Sequence, residues 1–532
     1  MLDLGKTFLQ SVERSPDNLA VVDEERQLNY RQWYGEISHV VAGLQSMGMV
    51  KGEHVLAVLQ NRYEMATLHW ACQFLGLIMT PLNWRAKAEE VAYCMRDAEV
   101  RVVFYEPFSA EAVRTACADG NVPRVAVAMG DPQGDITFES LLSTPNAPDA
   151  RPLGDSEAIS LMLYTSGTTG NPKGVPRRHR HERAAALGHV AQNHYRRSEC
   201  TLGVMPLYHT MGVRSLLSMV LVDGTFICMP RFDPELALQL IAQYRISCLY
   251  LVPTLYHDLL RKYQSGQHDI ATVRKLGFAG ASMPDGLLIR LQELFKPELF
   301  VNHYGSSEVY TFSIEEDAVA KPGSAGRAGI NTRLRVVDME KNKVDSPVAP
   351  GKEGQIIVDL AGDEAFEGYW KRPDANQKSL RDGWYFTGDI GYLDEEGDLF
   401  VTGRVDDMMI SGGENISPID IESVLSLHEA VDEVAVVGLP DERWGQRVTA
   451  FIKAGRSVTA EELDEHCRQS DLLNFKRPRD YIFVQDIPKS PVGKLLRRLL
   501  ISGQYCRALP TEPSTSNTSE QSAVGRASGE EK

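Results

Sequence analysis

The sequence predicts an α/β protein. A large N-terminal domain would hold layered α/β subdomains and a small β-rich subdomain, and a hinge would join it to a small α+β C-terminal domain. Three observations favour this class. Short apolar runs alternate with helix-length segments over roughly the first four hundred residues. Turn residues separate shorter runs from about residue 331, and a compact α+β pattern follows Gly403.

The strands of the first region are predicted from runs rich in β-branched and aromatic residues. These runs are VLAVLQ from Val55, VRVVFY from Val100, VAVAM from Val125, ISLMLY from Ile159 and LYLVPT from Leu249. Because helix-length segments separate them, most of these strands should pair in parallel. Turn residues separate the later runs LRVVD, QIIVDL and DLFVTG, which indicates antiparallel pairing in the small subdomain.

The C-terminal domain contains a predicted helix that starts at Ser417 and Pro418. Serine can accept hydrogen bonds from the free amides of a first helical turn, and proline suits that turn because it has no amide hydrogen to satisfy. The strand-like runs VAVVGL and VTAFIKA and a second helix near Ala460 complete the unit. The predicted boundaries are therefore 1–403 and 404–508, followed by a polar tail over 509–532 that should be disordered.

The charge balance and the cysteines exclude several classes of protein. The 72 acidic residues outnumber the 56 basic residues, so we expect neither a nucleic acid nor an anionic membrane surface as a partner. The 8 cysteines include no Cys-x-x-Cys pair, which argues against a zinc site and fits the reducing cytoplasm. Because neither a secretion signal nor a membrane-length apolar run is found, we expect a cytoplasmic protein without a membrane span.

A loop rich in Gly, Ser and Thr directly follows the strand ISLMLY. Its glycines let backbone amides approach an anion, its hydroxyls can donate to phosphate oxygens, and its lysine supplies a positive charge. The candidate ligands are Thr165, Ser166, Gly167, Thr168, Thr169, Gly170 and Lys173. A flexible surface turn is the alternative for a shorter match. The Walker pattern does not fit, because Pro172 precedes the lysine and Gly174 follows it, so a different polyphosphate loop is predicted.

Tyr164 to Lys173 resembles the signature loop of the adenylate-forming superfamily, which contains acyl-CoA synthetases, peptide-synthetase adenylation domains and luciferases. Further motifs of the superfamily recur in order, over about residues 10 to 500. They are Tyr304-Gly-Ser-Ser-Glu308, Tyr385-Phe-Thr-Gly-Asp389, Gly403-Arg-Val-Asp-Asp407 and the lysine of SPVGKLLRR. Blocks such as MPLYHTMG and WGQRVTA are most similar to the 4-chlorobenzoate:CoA ligases and related aryl-CoA ligases. The resemblance implies an adenylation domain over 1–403 and a mobile C-terminal domain over 404–508.

The resemblance also implies a nucleotide and metal site. The residues that would hold ATP beside the loop are Tyr304, Gly305, Ser306, Ser307, Asp389 and Arg404. Asp389 would accept from the ribose hydroxyls, and Glu308 would bind the Mg²⁺ ion that bridges the phosphates, since that ion prefers carboxylate and phosphate oxygens. Taken alone, these residues would more often be a solvated glutamate, a turn-capping aspartate and a surface ion pair.

Two residues of the C-terminal region receive mechanistic roles from the resemblance. Lys494 would be the catalytic lysine, which stabilises the negative charge that develops when the acid displaces pyrophosphate at the α-phosphorus. Asp406 would be the hinge at which the small domain rotates between the two half-reactions. A solvated lysine is the alternative for Lys494 considered without its neighbours.

A CoA site is implied by matching positions on both domains. They are Arg85, Gly412, Gly413, Trp444, Phe475, Arg477 and Arg479. Arginines would bind the nucleotide phosphates, aromatic rings would pack on the adenine, and the glycines would leave room for the pantetheine arm. A charged surface with a packed tryptophan is the alternative reading of each residue alone.

The acid pocket is implied by the similarity to the aryl-CoA ligases. His209 would close over the acid as a catalytic and substrate-binding residue, and the walls would include Phe278, Ala279, Gly280, Ala281, His303 and Tyr310. A benzoate-type acid is the first expectation. His303 and Tyr310 are more polar or larger than an apolar halobenzoate pocket would need, so a hydroxylated or cinnamate-type acid stays open, and His303 could equally be structural.

The expected reaction converts an acid, ATP and CoA to acyl-CoA, AMP and diphosphate through an acyl-adenylate, with Mg²⁺ as metal cofactor. Three alternatives stay open: an adenylation enzyme that loads a carrier protein, a medium- or long-chain fatty acid:CoA ligase, and a nucleotide-binding scaffold without turnover. The expected partners are the acid, ATP and CoA, and a homodimer stays open.

Overall fold

The computed structural model describes residues 3–118, 122–128, 135–165, 172–405, 407–489 and 495–508. The tail over 509–532, which we predict to be disordered, lies outside the described residues. The structure is built from α-helices and β-strands that alternate over most of the chain.

The helices in these residues are α1 (Leu4–Arg14), α2 (Tyr30–Ser46), α3 (Tyr63–Leu75), α4 (Ala88–Asp97), α5 (Ala110–Ala116), α6 (Phe138–Leu142), α7 (His179–Gln192), α8 (Thr210–Leu221), α9 (Pro234–Tyr244), α10 (Pro253–Lys262), α11 (Asp285–Phe295), α12 (Pro373–Ser379), α13 (Pro418–Ser426), α14 (Ala460–Gln469) and α15 (Arg497–Ile501). None of them is long and apolar enough to cross a membrane.

The strands are β1 (Leu19–Asp23), β2 (Arg26–Asn29), β3 (His54–Val58), β4 (Ile78–Pro81), β5 (Val102–Tyr105), β6 (Arg124–Ala126), β7 (Ile136–Thr137), β8 (Ile159–Thr165), β9 (Lys173–Arg178), β10 (Cys200–Gly203), β11 (Thr225–Cys228), β12 (Cys248–Leu251), β13 (Lys275–Ala279), β14 (Leu299–Tyr304), β15 (Ser313–Glu315), β16 (Ser324–Ala328), β17 (Leu334–Val337), β18 (Gly354–Asp359), β19 (Leu380–Arg381), β20 (Trp384–Leu393), β21 (Leu399–Arg404), β22 (Met409–Ser411), β23 (Glu414–Ile416), β24 (Val431–Asp441), β25 (Gly445–Ala454) and β26 (Asp480–Phe483).

These strands form three sheets. The seven-stranded sheet has the order β7-β6-β5-β3-β4-β8-β9, and all of its pairs are parallel except β8 with β9. The largest sheet has a parallel centre that contains β11, β10, β12, β13 and β14. The alternation of strands and helices in the sequence therefore predicted the α/β class and its parallel pairing, and both predictions are confirmed.

The antiparallel strands that we predicted after residue 331 are present, but they do not form a separate sheet. Strands β17, β18, β20 and β21 pair antiparallel with one another, and β21 pairs with β16. This last pairing extends the largest sheet to 14 strands. It brings the predicted ribose-binding motif on β20 into the sheet whose strand β14 leads into the YGSSE motif.

An aromatic cluster forms the centre of the largest hydrophobic core. Phe8 of α1 lies 5.3 Å from Trp33 of α2 and 4.9 Å from Trp70 of α3, measured between ring centroids. Trp33 and Trp70 are fully buried, and Trp33 Nε1 donates to Thr67 Oγ1 at 2.9 Å. Three helices thus pack against one another in this core.

The C-terminal sheet is formed by β22 to β26 and is covered by α13 and α14. Ser417 is the N-cap of α13, as predicted, and its Oγ accepts from the amide of Ile419 at 3.2 Å. Strand β21 ends at Arg404 and β22 begins at Met409, so the change of sheet falls beside the predicted boundary. Asp406, the predicted hinge, lies outside the described residues.

Candidate functional site

The hairpin formed by β8 and β9 positions the predicted phosphate loop. Thr165, the last residue of β8, pairs with Lys173, the first residue of β9. Thr165 Oγ1 also donates to the carbonyl oxygen of Lys173 at 3.4 Å. Ser166, Gly167, Thr168, Thr169 and Gly170 lie outside the described residues. The two residues that flank the loop are therefore paired on β8 and β9, at one edge of the seven-stranded sheet.

Lys173 lies beside a buried carboxylate. Its Nζ is 4.1 Å from the centre of the Tyr369 ring, and the Tyr369 hydroxyl donates to Glu308 Oε1 at 2.7 Å. Glu308 is only 6% exposed. Burial lowers the pKa of Lys173, and the nearby charge of Glu308 opposes this effect. The structure thus brings together the predicted loop lysine and the predicted metal ligand, and adds Tyr369 between them.

A second group of contacts joins the YGSSE motif to the predicted ribose-binding motif. The Tyr304 hydroxyl donates to Asp389 Oδ2, and Arg404 Nε lies 3.2 Å from Asp389 Oδ1. Asp389 and Arg404 are directly paired residues of β20 and β21, so the sheet register holds them together. Burial, and then the charge of Asp389, raise the pKa of Tyr304 well above its usual range, which keeps the hydroxyl protonated as a donor.

The turn after Tyr304 is too tight for a side chain at Gly305. A Cβ atom there would lie 2.1 Å from the carbonyl oxygen of Tyr310. Ser306 closes the turn, because its amide donates to the Val309 carbonyl at 2.9 Å and its Oγ accepts from the Glu308 amide at 3.2 Å. The Ser307 carbonyl oxygen accepts from Arg177 Nη1 at 3.5 Å. These contacts fix the carboxylate of Glu308 at the end of the motif.

Tyr385 connects the two groups. Its ring centroid lies 6.2 Å from that of Phe312, which packs 5.0 Å from the ring of Tyr304. The charges of Glu308 and Asp389 both contribute to the raised pKa of Tyr385, after burial, which is the largest cause. The residues predicted to bind the nucleotide therefore form one continuous group. The cationic groups that act on Lys173 are Arg372, Lys378 and Arg404, and this excess of positive charge suits a polyphosphate.

The carboxylate of Glu308 fits a divalent cation. It is buried, it lies next to the lysine of the phosphate loop, and one of its oxygens is oriented by the Tyr369 hydroxyl. Oriented carboxylate oxygens are what Mg²⁺ takes from proteins when phosphates supply its other ligands. A second acidic cluster, which contains Asp394 and Asp398, already holds the ammonium group of Lys321, with Asp394 Oδ2 at 2.6 Å.

The residues predicted to line the acid pocket come from three elements. His209 is the N-cap of α8, where its Nδ1 accepts from the Met211 amide at 3.4 Å. Ala279 of β13 is in register with His303 of β14. Gly280 and Ala281 follow β13 directly, and a Cβ atom at Gly280 would lie 3.4 Å from Val252. A Cβ atom at Gly280 would also lie 3.9 Å from Met211 of α8, so the end of β13 and the start of α8 approach one another.

Phe278 and Tyr310 have other contacts. Because side chains alternate along a strand, Phe278 faces away from Ala279 and packs 5.9 Å from the ring of Phe300. The Tyr310 hydroxyl donates to Glu182 Oε2 at 3.1 Å, and the Arg177 guanidinium lies 4.0 Å from the Tyr310 ring centre. Tyr310 therefore lies in a buried ionic group.

That ionic group, Arg177 with Glu182, was not found from the sequence. Arg177 Nε donates to Glu182 Oε1 at 2.8 Å, and both side chains are fully buried. Arg177 Nη1 also donates to the carbonyl oxygens of Glu308 and Glu364, at 3.0 and 2.7 Å. A buried arginine with these partners holds the backbone at Glu308 and at Glu364 together. No motif spacing links Arg177 to Glu308, because they are 131 residues apart.

The predicted CoA residues of the C-terminal domain begin with a glycine turn. Gly412 and Gly413 join β22 to β23 and both have positive φ, 62° and 88°, which glycine adopts without strain. The Gly412 amide donates to the Trp444 carbonyl at 2.9 Å, and a Cβ at Gly412 would lie 3.0 Å from the Trp444 ring. The space around Gly413 is open. Trp444 is 39% exposed and is available for packing.

Of the remaining CoA candidates, Phe475, Arg479 and Arg85 are exposed, whereas the Arg477 side chain is mostly buried. Phe475 is 41% exposed. Arg477 pairs with Asp464 at 2.8 Å, and Arg479 Nη2 donates to the Asn474 carbonyl at 3.4 Å. Arg85, on the other domain, lies with its guanidinium 3.8 Å from the Trp84 ring centre. Arg477 thus has a carboxylate partner that a phosphate would have to displace.

Lys494, the predicted catalytic lysine, lies outside the described residues. The ends of its segment are close together, because Lys489 and Leu495 form an antiparallel bridge. Arg497, which follows, pairs with Glu422 at 2.8 Å and lies 3.8 Å from Asp407.

The AMP-binding enzyme model matches residues 8–370, and the AMP-binding enzyme C-terminal domain model matches residues 420–494. The chain belongs to the AMP-binding enzyme family. The predicted membership of the adenylate-forming superfamily is therefore confirmed.

Individual relatives of this AMP-binding enzyme are similar over nearly their full length. A 4-chlorobenzoate–CoA ligase of Arthrobacter sp is 33% identical over 496 residues, which cover 92% of this chain and 93% of that protein. The long-chain-fatty-acid–CoA ligase FadD13 of Mycobacterium tuberculosis is 31% identical over 517 residues, or 96% and 100% of the two chains. The structure of the anthranilate CoA ligase AuaEII in complex with anthranoyl-AMP superimposes with a TM-score of 0.86 and 26% identity, covering 94% and 97%.

Proposed function

We propose that this AMP-binding enzyme is an ATP-dependent ligase that joins an aromatic carboxylic acid to CoA through an acyl-adenylate. The activity class, AMP-forming acid–thiol ligation, follows from the family and from relatives that are CoA ligases. The observation that carries the site is the continuity between two groups: Lys173 with Glu308, and Tyr304 with Asp389. One group suits phosphates and the other suits a ribose.

The first half-reaction would take place at the phosphate loop. A carboxylate oxygen of the acid attacks the α-phosphorus of ATP, the bond to the β-phosphate oxygen breaks, and diphosphate leaves. Lys173 and the backbone amides of the loop would bind the phosphates, and Lys494 would stabilise the charge that builds at the α-phosphate. Mg²⁺, held by Glu308, would neutralise the leaving diphosphate.

The nucleoside would be bound by the second group. Asp389 is held by Tyr304 and Arg404, and its carboxylate could accept from the ribose hydroxyls. Gly305 would let the backbone of the YGSSE turn lie close to the adenine, because no side chain intervenes. Ser306 and Ser307 belong to the same turn and would present its backbone groups to the nucleotide.

The second half-reaction would need another arrangement of the small domain. The CoA thiol attacks the acyl carbonyl, a tetrahedral intermediate forms, and AMP leaves with the electron pair of the broken C–O bond. Residues 404–508 would turn about Asp406 relative to residues 1–403, which would exchange Lys494 for the glycine turn at Gly412 and Gly413. Trp444 and Phe475 would pack on the CoA adenine, and Arg85, Arg477 and Arg479 would bind its phosphates.

An aromatic acid is supported by two comparisons. One relative acts on 4-chlorobenzoate, and one structural neighbour binds anthranoyl-AMP. The predicted wall at Ala279 and Gly280 has no bulky side chain of its own. A cytoplasmic location is supported by the cysteines, which are all free thiols, with seven of them buried.

The function is tested by incubating the full chain with ATP, Mg²⁺, CoA and a panel of benzoates, cinnamates and fatty acids. We expect AMP and acyl-CoA to appear in equal amounts with an aromatic acid, and not when CoA is replaced by a phosphopantetheine carrier protein. Release that needed the carrier protein would refute the CoA ligase. Best turnover of a long-chain acid would instead favour the fatty acid alternative that FadD13 represents.

A further inference from the structure

Strand β9 reaches the predicted metal ligand at two points. Lys173 is its first residue, and Arg177 lies further along the same strand. Because side chains alternate along a strand and the β8–β9 register is regular between these residues, Lys173 and Arg177 project from the same face. Lys173 approaches the Glu308 carboxylate beside the Tyr369 ring. Arg177 contacts the backbone of the same glutamate from within the core.

Arg177 binds the YGSSE motif through carbonyl groups. Its Nη1 donates to the Glu308 carbonyl at 3.0 Å and, over a longer distance of 3.5 Å, to the Ser307 carbonyl. The same nitrogen donates to the Glu364 carbonyl at 2.7 Å. One terminal nitrogen of the guanidinium therefore joins the end of the YGSSE motif to the segment around Glu364.

These two segments also pair through their backbones, but only briefly. The Phe366 amide donates to the Glu308 carbonyl at 2.9 Å, and Val309 forms an antiparallel bridge with Ala365. The bridge is isolated and lies outside the strands of the described chain. Arg177 thus adds a side-chain contact at a point where no extended ladder of hydrogen bonds holds the backbone of Glu308.

Glu182 of α7 neutralises Arg177 and fixes its orientation. Arg177 Nε donates to Glu182 Oε1 at 2.8 Å, and both side chains are fully buried. The other carboxylate oxygen of Glu182 accepts from the Tyr310 hydroxyl at 3.1 Å. The guanidinium also lies 4.0 Å from the centre of the Tyr310 ring. A carboxylate on one edge and a ring against one face leave the direction of Nη1 well defined.

The shape of the guanidinium explains why an arginine stands at this position. A planar guanidinium presents its donors in fixed directions, whereas the ammonium group of lysine is a compact charge on a flexible stem. A lysine could neutralise Glu182, but it could not reproduce the contacts with both Glu308 and Glu364. A buried ion pair adds little net stability compared with apolar residues. The position of Arg177 behind the predicted metal ligand therefore points to a role in orienting it.

We propose that Arg177 is a positioning residue for the metal ion, which acts through the backbone of Glu308, and that Glu182 holds Arg177 in place. This inference rests on the proposed function, in which Glu308 binds Mg²⁺. Residues that orient a metal ligand without contacting the ion typically change metal affinity by about 10- to 100-fold when they are replaced.

The proposal is tested by titrating the full chain with Mn²⁺ in the presence of a non-hydrolysable ATP analogue and measuring free Mn²⁺ by electron paramagnetic resonance. Arg177→Lys should raise the Kd for Mn²⁺ about tenfold, because the charge is retained but the carbonyl contacts are lost. The variant should also need about tenfold more Mg²⁺ for half-maximal ATP–pyrophosphate exchange, and its exchange rate should recover at saturating Mg²⁺.

Arg177→Met combined with Glu182→Met is the second variant. It removes both charges, so neither is left buried without its partner, and the Kd for Mn²⁺ should rise at least as much as in Arg177→Lys. Lys275→Met combined with Glu199→Met is the matched control. Lys275 of β13 and Glu199 also form a buried ion pair, with side chains 3% and 2% exposed, but they do not contact the YGSSE motif. The control should keep the original Kd for Mn²⁺.

The outcomes separate this inference from the ligase function. An unchanged Kd for Mn²⁺ in both Arg177 variants, or an equal rise in the Lys275 control, would overturn the positioning role and leave the ligase intact. If the unaltered chain released AMP but bound no Mn²⁺ with the nucleotide, the metal role of Glu308 would be wrong, and the inference with it. A selective rise in Kd in a chain that releases no AMP with any acid would support the positioning role and refute the ligase function.

Discussion

The Tyr369 hydroxyl donates to the Glu308 carboxylate at 2.7 Å, although 61 residues separate them in sequence. The same Tyr369 ring lies beneath the ammonium group of Lys173. One side chain thus positions the predicted metal ligand and the loop lysine together, and it does so through two different interactions. A substitution can remove the hydrogen bond and retain the ring contact, so the two roles of Tyr369 can be separated.

Tyr369→Phe should slow adenylation without unfolding the chain. The ring and its contact with Lys173 are retained, but the Glu308 carboxylate loses its orienting donor, a loss typically of about 1–2 kcal/mol. We expect ATP–pyrophosphate exchange to fall about tenfold. Tyr105→Phe is the matched control. Tyr105 is the last residue of β5 in the seven-stranded sheet, and its hydroxyl also donates to a carboxylate, that of Asp135. An equal loss in the control would contradict the special role of Tyr369.

Gly305→Ala should damage the YGSSE turn. The new Cβ would lie 2.1 Å from the Tyr310 carbonyl oxygen. No rotamer can relieve this contact, because the backbone alone determines the positions of both atoms. We expect the free energy of unfolding to fall by about 1–3 kcal/mol and exchange activity to fall at least about tenfold. Gly35→Ala, in the middle of α2 with open space around it, should instead raise stability by about 0.5–1 kcal/mol. Urea unfolding of both variants measures the contrast.

The pH dependence of stability has an identifiable contribution from Asp23. Burial and the neighbouring charge of Glu64 raise the pKa of Asp23 from 3.8 to about 7. Between pH 4 and 7 the folded chain therefore holds a proton that the unfolded chain has lost, so this group lowers stability as pH rises through that window.

Asp23→Asn should remove this destabilisation. The variant should match the original chain below about pH 4 and exceed its free energy of unfolding by roughly 4 kcal/mol above pH 7, since the pKa rises from 3.8 to about 7 and each pKa unit corresponds to 1.36 kcal/mol. Asp17→Asn is the control, because the Asp17 side chain is 80% exposed. A constant difference across pH 4 to 8 would contradict the raised pKa.

Local patterns were sufficient for the elements and for the order of the motifs. The cap of α13 at Ser417 and the strand runs on β3, β5, β8 and β12 follow from composition and spacing, because these are decided by neighbours in the chain. The same holds for the sequence context of Glu308 and Asp389, whose motifs are contiguous.

The partners of those motifs were not accessible from the sequence, because they depend on pairing between distant strands. The β16–β21 pairing decides that Asp389 enters the same sheet as Tyr304. Burial decides that Arg177 pairs with Glu182 and that Tyr310 joins them. Alternation along β13 decides that Ala279, and not Phe278, faces His303.

Lys494→Ala should separate the two half-reactions. The charge is needed while pyrophosphate leaves, so adenylation should fall by about 100-fold or more, whereas thioester formation from supplied acyl-adenylate should be largely retained. Lys489→Ala is a control nearby in the chain, because Lys489 already pairs with Glu433. Equal losses in both half-reactions of the Lys494 variant would refute its assignment.

Asp406→Pro should impair mainly thioester formation and leave adenylation largely intact, because a fixed φ would restrict the hinge.

Trp444→Ala should weaken CoA binding and leave adenylation unchanged. The indole packs on Gly412 and is 39% exposed, so its removal opens little of the core. Loss of an aromatic contact of this kind costs about 1–2 kcal/mol, which predicts a roughly tenfold higher KM for CoA with an unaltered rate of pyrophosphate exchange. Ile501→Ala, an apolar truncation at a residue 50% exposed on α15, should change neither value. If the Trp444 variant kept the original KM for CoA, the thiol donor would have to bind on a different face of the small domain.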